Sequence, residues 1–358
     1  MSKWLPALAA IALLPACADP PAESVQSTPL AFQQLERTEQ VSNTTALLQA
    51  ISIVDERTVW ASGHEGTWVL TVDGGESWTP SVMDGEEALQ FRDVEAFSAS
   101  TAYLMTAGTG DQSRVYRTDD GGGSWQLQYT ADHPAAFLDC MAFWDQDRGV
   151  VFGDETDGML FILRTEDGGE TWSRLPAEAL PAALEGEGGF AASGTCLVTG
   201  SDGRAWISAG NSEQPRVLMT SDWGVSWSAV DLPLVGGAGA GPTTIQIAED
   251  GRGITLGGII GNDTVWTDNV AVTRDAGASW TLAGRPVMSG PAYGSALVVD
   301  GEETAVVAVG PQGMNWSTDL GATWQPADTL TYWAVSFAGS EAGWAVGPQG
   351  RIVRLSLR

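Results

Sequence analysis

The stretch Thr71-Val-Asp73-Gly-Gly75-Glu-Ser77-Trp78 carries the pattern that decides the fold, Ser/Thr-x-Asp-x-Gly-x-Ser/Thr-Trp. An Asp in a tight turn accepts hydrogen bonds from backbone N–H groups slightly further along the chain, and Gly supplies the positive φ that the turn requires. The hydroxyl groups help to hold the turn, and Trp78 covers it with apolar surface. We therefore expect this motif, here called the Asp box, to be a hairpin whose carboxylate is structural and not catalytic.

The Asp box recurs at nearly regular intervals along the chain. Successive motif tryptophans are 47, 47, 55, 53 and 44 residues apart. A period of roughly 40–50 residues indicates a propeller or a solenoid. The aspartates of the six copies are Asp73, Asp120, Asp167, Asp222, Asp275 and Asp319.

Two strand-like runs precede each Asp box. In the first unit these are Thr58-Val-Trp60-Ala-Ser-Gly63 and Thr67-Trp-Val-Leu70, which show the alternation and the Gly punctuation of strands. A seventh pair of runs, Ala342-Gly-Trp344-Ala-Val-Gly347 and Arg351-Ile-Val-Arg-Leu355, has no Asp box after it. The sequence therefore predicts an all-β, seven-bladed β-propeller over residues 30–358, with one strand missing from the last blade.

A donor for the missing strand lies before the first blade. Residues 30–37, Leu-Ala-Phe-Gln-Gln-Leu-Glu-Arg, belong to no blade of their own. If they pair with residues 351–357, the ring closes and an exposed sheet edge disappears.

The amino terminus predicts export and lipidation. Lys3 precedes an apolar run over residues 4–14, which is shorter than the roughly 20 residues that a membrane span needs. The run ends in Leu14-Pro15-Ala16-Cys17, which resembles a lipobox apart from Pro15. We interpret residues 1–16 as a lipoprotein signal peptide, Cys17 as the lipidation site and residues 17–29 as a polar tether. The alternative is an ordinary secretory signal with an incidental Cys.

The chain is strongly acidic. It has 17 Lys and Arg against 45 Asp and Glu, a formal net charge of −28. Such a surface repels nucleic acid, and no basic stretch offsets it. The charge either keeps the protein soluble or attracts a cationic partner. We expect a monomer, periplasmic or at the cell surface, held to a membrane by its lipid; Ala18 after the Cys favours the outer membrane.

The blades resemble those of a known family. The runs Arg92-Asp-Val, Arg117-Thr-Asp-Asp-Gly-Gly-Gly-Ser-Trp125 and Arg164-Thr-Glu-Asp-Gly-Gly-Glu-Thr-Trp172 are similar to the photosystem II stability and assembly factor family. The resemblance implies a seven-bladed propeller that binds a membrane-protein partner and has neither chemistry nor a cofactor of its own. It implies less about function than about fold, because Asp boxes also occur in sialidases and sortilin-type receptors. The acidic surface departs from the Arg-rich binding surface of that family.

One rim of the propeller is the expected binding site for a protein partner or a small ligand. The starts of the inner strands and the loops after the second strands meet there. A mixed acidic and aromatic rim suits a peptide, a sugar or a cation, although the same residues could be solvated loop ends. Asp139 and Asp154 could contribute to a Ca²⁺ site, but no EF-hand-like spacing supports one, and we predict no metal. The rim residues are Arg92, Asp93, Asp139, Tyr293 and Trp333 from inner strands, and His64, Glu65, Asp111, Asp154, Glu155, Asn211 and Asn262 from loops.

The alternative function is a sialidase-like glycoside hydrolase or lyase on the same fold. The Phe/Tyr-Arg-Ile-Pro motif of sialidases is missing, and Arg285-Pro286 does not replace it. The run Gly236-Gly-Ala-Gly-Ala-Gly241 is not a dinucleotide loop, because Pro242 stands where a Gly is required and no helix pattern follows. We interpret it as a flexible connection between blades 4 and 5. A binding or assembly module is the leading hypothesis.

Cys140 and Cys196 occupy equivalent positions in adjacent units. Each lies eight residues before the Arg that opens the second strand of its blade, Arg148 or Arg204. Inner strands converge on the channel, and near its axis the Cα atoms could approach the roughly 4.4–6.8 Å of a disulfide. An exported protein would then form the bond. If the strands stand farther apart, both residues are free buried thiols.

Replacing Cys17 tests the anchor. We expect Cys17→Ser to release soluble protein or to leave an uncleaved precursor, because the lipid is attached to this thiol. Membrane fractionation and the intact mass check the result. A variant with unchanged fractionation and unchanged mass would show that Cys17 carries no lipid.

Overall fold

The computed structural model describes residues 1–2, 32–264 and 267–358. The unit Ala31–Arg358 is a ring of seven four-stranded antiparallel sheets, so the predicted seven-bladed propeller is confirmed. The lipidation site Cys17, the tether and most of the signal peptide lie outside the described residues. No helix in the described part of the chain is long and apolar enough to cross a membrane.

Each blade runs from an inner strand at the channel to an outer strand at the periphery. A strand β1 (Leu35–Gln40) precedes the first blade. Blade 1 contains β2 (Leu48–Ile53), β3 (Val59–Gly63), β4 (Thr67–Thr71) and β5 (Thr79–Val82). Blade 2 contains β6 (Phe91–Ala96), β7 (Ala102–Thr106), β8 (Arg114–Thr118) and β9 (Gln126–Thr130). Blade 3 contains β10 (Leu138–Phe143), β11 (Gly149–Thr156), β12 (Met159–Thr165) and β13 (Ser173–Arg174).

The remaining blades repeat this order. Blade 4 contains β14 (Leu197–Thr199), β15 (Ala205–Ala209), β16 (Arg216–Thr220) and β17 (Ser228–Asp231). Blade 5 contains β18 (Ala240–Ile247), β19 (Gly253–Ile259), β20 (Val270–Thr273) and β21 (Thr281–Leu282). Blade 6 contains β22 (Gly294–Asp300), β23 (Glu303–Gly310), β24 (Gly313–Ser317) and β25 (Gln325–Asp328). Blade 7 contains β26 (Ala334–Phe337), β27 (Gly343–Val346) and β28 (Ile352–Leu357). Three single-turn 3₁₀ helices lie at Gly110–Gln112, Ala177–Ala179 and Ser201–Gly203.

The Asp boxes join the third and fourth strands of blades 1 to 6, and their hydrogen bonds match the expected turn. In blade 1 the Thr71 hydroxyl donates to Asp73 at 2.7 Å, and the Ser77 N–H donates to the same carboxylate at 3.0 Å. These bonds lower the pKa of Asp73 to about 2, with the Ser77 hydroxyl the largest cause. The same set of bonds recurs at Asp120, Asp167, Asp222, Asp275 and Asp319.

The apolar core lies between neighbouring blades. Blade 1 contributes Leu48, Val69 and the box residue Trp78 to one cluster, and blade 7 completes it with Trp344 and Ile352. Because each blade face is buried only against the next blade, the stability of every blade depends on both of its neighbours.

Strand β1 completes blade 7, as predicted. It pairs antiparallel with β28, from Leu35 opposite Leu357 to Gln40 opposite Ile352. The strand begins five residues later than the predicted segment 30–37, because Phe32 packs against an apolar cluster of blades 6 and 7 and is not paired. The Oε1 atom of Gln40 then accepts hydrogen bonds from the indoles of Trp78 and Trp344, each at 3.0 Å, and so joins blade 1 to blade 7.

The glycine-rich run 236–241 differs in part from its prediction. Residues 236–239 connect blades 4 and 5 as expected. Ala240 and Gly241, however, begin β18 and pair with Ile259 and Gly258. Glycine is required at this close approach, because a Cβ on Gly241 would lie 2.7 Å from the backbone of Gly210.

Deleting residues 32–40 tests the closure. The deletion leaves β28 with an open edge and removes the bonds of Gln40, so we expect aggregation or a large loss of thermal stability. At about 2.1 cal/mol/K of unfolding entropy per residue, a loss of about 5 kcal/mol would lower Tm by roughly 7 °C. Thermal denaturation followed by circular dichroism measures it, with a variant lacking residues 18–29 as the control. Equal melting of the two variants would contradict the closure.

Candidate functional site at the channel mouth

Four inner strands carry an irregularity at the same place near their start. In β2, β6, β10 and β18 the pairing with the second strand skips one residue. A β-bulge of this kind redirects a side chain. The skipped residues are Gln49, Arg92, Asp139 and Thr243. Arg92 and Asp139 were predicted as rim residues, whereas Gln49 and Thr243 were missed because alternation alone does not reveal a bulge.

A segment between blades 3 and 4 occupies this mouth of the channel. We call residues 188–195 the central plug. The amide of Gln49 donates to the carbonyl of Ala191 at 2.8 Å, and the Arg92 guanidinium approaches the same oxygen at 3.4 Å. The N–H of Gly189 donates to Asp139 at 3.0 Å. Bulge side chains from three blades thus hold one stretch of main chain, which turns at residues 191–196.

The plug also reaches the opposite side of the ring. The Ser193 hydroxyl donates to the carbonyl of Tyr293 in blade 6 at 2.8 Å.

The sequence analysis did not predict the plug, although one feature of the motif spacing indicated it. The motif spacing from Trp172 to Trp227 is 55 residues, the longest of the five, and the additional chain lies in this connection.

The plug is fixed at both ends. Before it, Glu187 forms a buried ion pair with Arg216 of β16. After it, Cys196 is joined to Cys140 of β10 by a disulfide, with the Cα atoms 5.9 Å apart. Of the two alternatives for these cysteines, the structure has the bonded one.

Two neighbouring carboxyl groups, Asp139 and Asp154, lie under the first part of the plug, and a third, Asp93, lies against it at Gly194. Burial raises the pKa of Asp139 well above its usual range, and the neighbouring Asp154 raises it further. Burial, followed by the charge of Glu155, raises the pKa of Asp154 to about 6. Asp139 and Asp154 are neighbours, but the described residues contain no group of three His, Cys, Asp or Glu side chains that could hold a metal ion.

Two basic side chains at the mouth, Arg92 and His64, are partly desolvated. Burial lowers the pKa of Arg92, and Asp139 opposes this effect. Among the described residues Arg92 forms no ion pair and instead donates to Gln90 at 2.6 Å. His64 shares a hydrogen bond with Gln49 at 2.9 Å, and burial followed by the charge of Arg92 lowers its pKa. The half-buried Arg92 guanidinium is therefore able to donate hydrogen bonds to an anionic or carbonyl group of a ligand.

An aromatic pair forms the other side of the mouth. Tyr293 and Trp333 precede the inner strands of blades 6 and 7, and their ring centroids are 4.7 Å apart with a tilt of 42°. Tyr293 is 9% exposed and Trp333 is half-buried. Paired aromatic rings at a solvent boundary suit an apolar or aromatic side chain of a ligand.

The other predicted rim residues have local structural partners. Asp93 is buried and accepts the N–H of Met141 at 2.6 Å, which joins blade 2 to blade 3. Asn211 bonds to Gly186 and Gly239, each at 2.8 Å. The remaining positions are Glu65, exposed with a φ of 59°, Asp111, exposed on a 3₁₀ turn of blade 2, Glu155, which accepts the N–H of Gly158, and Asn262, which accepts the N–H of Thr264.

A polar cavity of about 260 Å³ lies along the axis beyond the plug. Six blades line it, and its acidic members are Asp93 and Glu95 of β6. Burial raises the pKa of Glu95 to about 8. This carboxyl is therefore largely protonated at neutral pH.

No family model matches the chain. A curated relative, the photosystem II assembly lipoprotein Ycf48 of Synechococcus sp. (strain CC9902), is 29% identical over 227 residues. The match covers 62% of this chain and 57% of that protein, so the chain spans less than two thirds of its relative.

Solved structures agree on the fold. YCF48 bound to D1 peptide gives a TM-score of 0.62 at 17% identity, covering 91% of this chain and 98% of the other. YCF48 from Cyanidioschyzon merolae gives 0.63 at 17% identity, covering 89% and 98%. A streptogramin B lyase gives 0.66 at 13% identity, covering 92% and 100%. At these identities the likeness is one of fold alone.

Fold and site together define a seven-bladed Asp-box propeller with a plugged channel mouth. Within that class, the chain is similar in sequence to the photosystem II assembly lipoprotein Ycf48 and similar in fold to the two YCF48 structures.

Glu95 gives a pH-dependent prediction. Its pKa in the folded protein is higher than the ordinary value of 4.5, because burial favours the neutral carboxyl. The protonated Glu95 therefore leaves the folded state fully stable below about pH 4.5, and the free energy of unfolding falls as the pH rises to about 8. Glu95→Gln should therefore stabilise the protein at pH 8 by about 2 kcal/mol, a figure reduced for partial exposure, and have little effect at pH 4.

Urea denaturation at both pH values measures this difference. Glu56→Gln, on an exposed loop of blade 1, is the control with the same change of charge. A Glu95→Gln variant that is equally stabilised at pH 4 and pH 8 would show that the ionisation of Glu95 is not the cause.

Proposed function

We propose that the chain is a lipid-anchored, extracytoplasmic assembly module whose channel mouth binds a segment of a protein partner. One observation carries the proposal: the mouth already holds a segment of main chain, with Gln49 and Arg92 on a carbonyl and Asp139 on an N–H. Side chains that bind main chain in this way can accept a partner segment of varied sequence.

The mouth offers two further kinds of contact. Arg92 donates to the amide oxygen of Gln90 and to the carbonyl of Ala191 and to no carboxylate among the described residues, so it suits a carbonyl or a carboxylate of the ligand. Trp333 and Tyr293 suit an apolar or aromatic side chain. The relatives support a protein partner, since one is described as an assembly lipoprotein and another as bound to D1 peptide.

The lipid anchor belongs to the same proposal. Cys17 follows a short apolar signal, and the curated relative is itself a lipoprotein. Anchoring would keep the mouth close to membrane-protein partners on the periplasmic or lumenal side. A tether also raises the effective concentration of such partners.

A second candidate is the sialidase-like hydrolase or lyase. The observation that favours it is the pair Asp139 and Asp154, two neighbouring carboxyls with raised pKa values at a channel mouth. Asp139, however, is 1% exposed and accepts the N–H of Gly189, so the plug stands where a substrate would have to enter. Turnover of a sialoside or polysaccharide that Asp154→Asn abolishes would establish the enzyme.

Substitutions at the mouth test the binding function. Random 12-residue peptides displayed on phage are selected on the mature protein, and the enriched peptides are measured by fluorescence anisotropy together with a D1 peptide. We expect Trp333→Ala and Arg92→Ala each to weaken binding by about tenfold or more, since aromatic and Arg anchors typically dominate such interfaces.

Arg57→Ala is the matched control, because Arg57 is exposed on the loop after β2, at the other end of that strand. Its affinity should equal that of the wild type. If no peptide is enriched, or if the mouth variants bind as tightly as the control, the mouth is not a peptide site.

A further inference from the structure

The central plug lies outside the four-stranded sheets and is joined to them by a few main-chain bonds, among them a bridge between Gly188 and Gly210 of blade 4 and a bond from the N–H of Ile245 to the carbonyl of Thr195. It lies between two fixed points, the Glu187–Arg216 ion pair and the Cys140–Cys196 disulfide. Glycines stand at 188, 189 and 194, and Gly194 has a φ of 76°, so its backbone uses a region that favours glycine. No strand of the described propeller includes the plug.

The plug closes tightly over the two carboxyl groups. A Cβ on Gly188 would stand 1.7 Å from an oxygen of Asp154, and a Cβ on Gly189 would stand 2.7 Å from the Cβ of Asp139. Backbone and carboxyls therefore touch with no space for water between them. The N–H of Glu155 adds a bond to the carbonyl of Glu187 at 2.8 Å, at the edge of the plug.

The charges around this pair are mostly negative. Glu155 follows Asp154 on β11, and Glu187 stands on the plug side, where Arg216 of β16 already neutralises it. From β6, Arg92 faces Asp139, and Asp93, whose pKa is raised by burial, lies against the plug at Gly194. When both carboxyls are ionised, one cation, Arg92, therefore faces two desolvated negative charges.

We propose that the central plug is a proton-controlled closure, in place while at least one of Asp139 and Asp154 is protonated and released when both ionise. Release frees Gln49 and Arg92 from the carbonyl of Ala191 and admits water to the carboxyls. The closed state binds the protons more tightly than the open state, so opening increases as the pH rises from about 4 through about 6 and beyond.

Hydrogen exchange measures the opening directly. Mass spectrometry of the full mature protein, with its disulfide intact and without any partner peptide, gives the protection of residues 188–195 between pH 5 and pH 8, corrected for intrinsic exchange rates. We expect protection to fall at least tenfold over this range, which corresponds to a change of one unit in the pKa of the pair on opening. Strands β11 and β16 should show no comparable change.

Asp154→Asn is the decisive variant, because Asp154 is partly exposed and the substitution keeps its shape. It should flatten the pH dependence of the plug, whereas Asp111→Asn, an exposed carboxyl on the same rim, should keep the wild-type slope. Plug protection that does not change with pH in the wild type, or an unchanged slope in Asp154→Asn, would overturn the proposal. Since no peptide is used, either outcome is independent of the proposed binding function.

Cleavage by chymotrypsin after Phe190 gives a second readout. The cleavage rate should rise with pH in the wild type after correction for the protease's own pH profile on a denatured substrate. In Asp154→Asn the corrected rate should stay constant. A constant corrected rate in the wild type would again contradict the closure.

Discussion

The antiparallel pairing of β1 with β28 is the contact on which the rest of the propeller depends. Every core cluster lies between two blades, so a blade keeps its apolar face buried only while both neighbours are in place. Without β1, blades 7 and 1 would become the ends of an open array with unpaired edges. Gln40 strengthens the closure, because its single amide oxygen serves a tryptophan on each side of the joint.

The parts of the fold that the sequence predicts are those encoded locally and repeatedly. Each Asp box is completed by bonds within eight consecutive residues. Six copies, together with a seventh pair of strand runs that has no box after it, were sufficient to count the blades and to identify the incomplete one. The limits of β1 were shifted because Phe32 and Leu35 are both apolar, and which of them pairs depends on the register with Leu357.

The site was less accessible to sequence reasoning because it is assembled from distant residues. Arg92, Asp139, Tyr293 and Trp333 were predicted from their positions at the starts of inner strands, and they do surround the mouth. The plug was not predicted, since no local pattern marks its contacts. It bonds to side chains of blades 1, 2 and 3 and to a main-chain carbonyl of blade 6. Gln49 was missed for the same reason: a bulge depends on the pairing of two strands and not on the composition of one.

The same residue type serves opposite purposes in the two regions. Asp73 accepts several hydrogen bonds at the surface, and its pKa is lowered to about 2, which keeps the box charged and rigid. Asp154 is half-buried beside another carboxyl, and its pKa is raised to about 6. Desolvation outweighs hydrogen bonding in the centre of the ring, whereas hydrogen bonding prevails at its periphery.

The joint between β1 and β28 also has a kinetic consequence. Leu35 and Leu357 pair across nearly the whole length of the propeller sequence. A contact between residues so far apart in sequence closes a long loop, and such contacts form slowly. We expect the strands of blades 1 to 6, which pair with neighbours close in sequence, to assemble while β1 is still unpaired. We therefore expect the intermediate before closure to expose unpaired strand edges. The longer this intermediate persists, the larger the fraction of molecules that aggregate or form domain-swapped dimers.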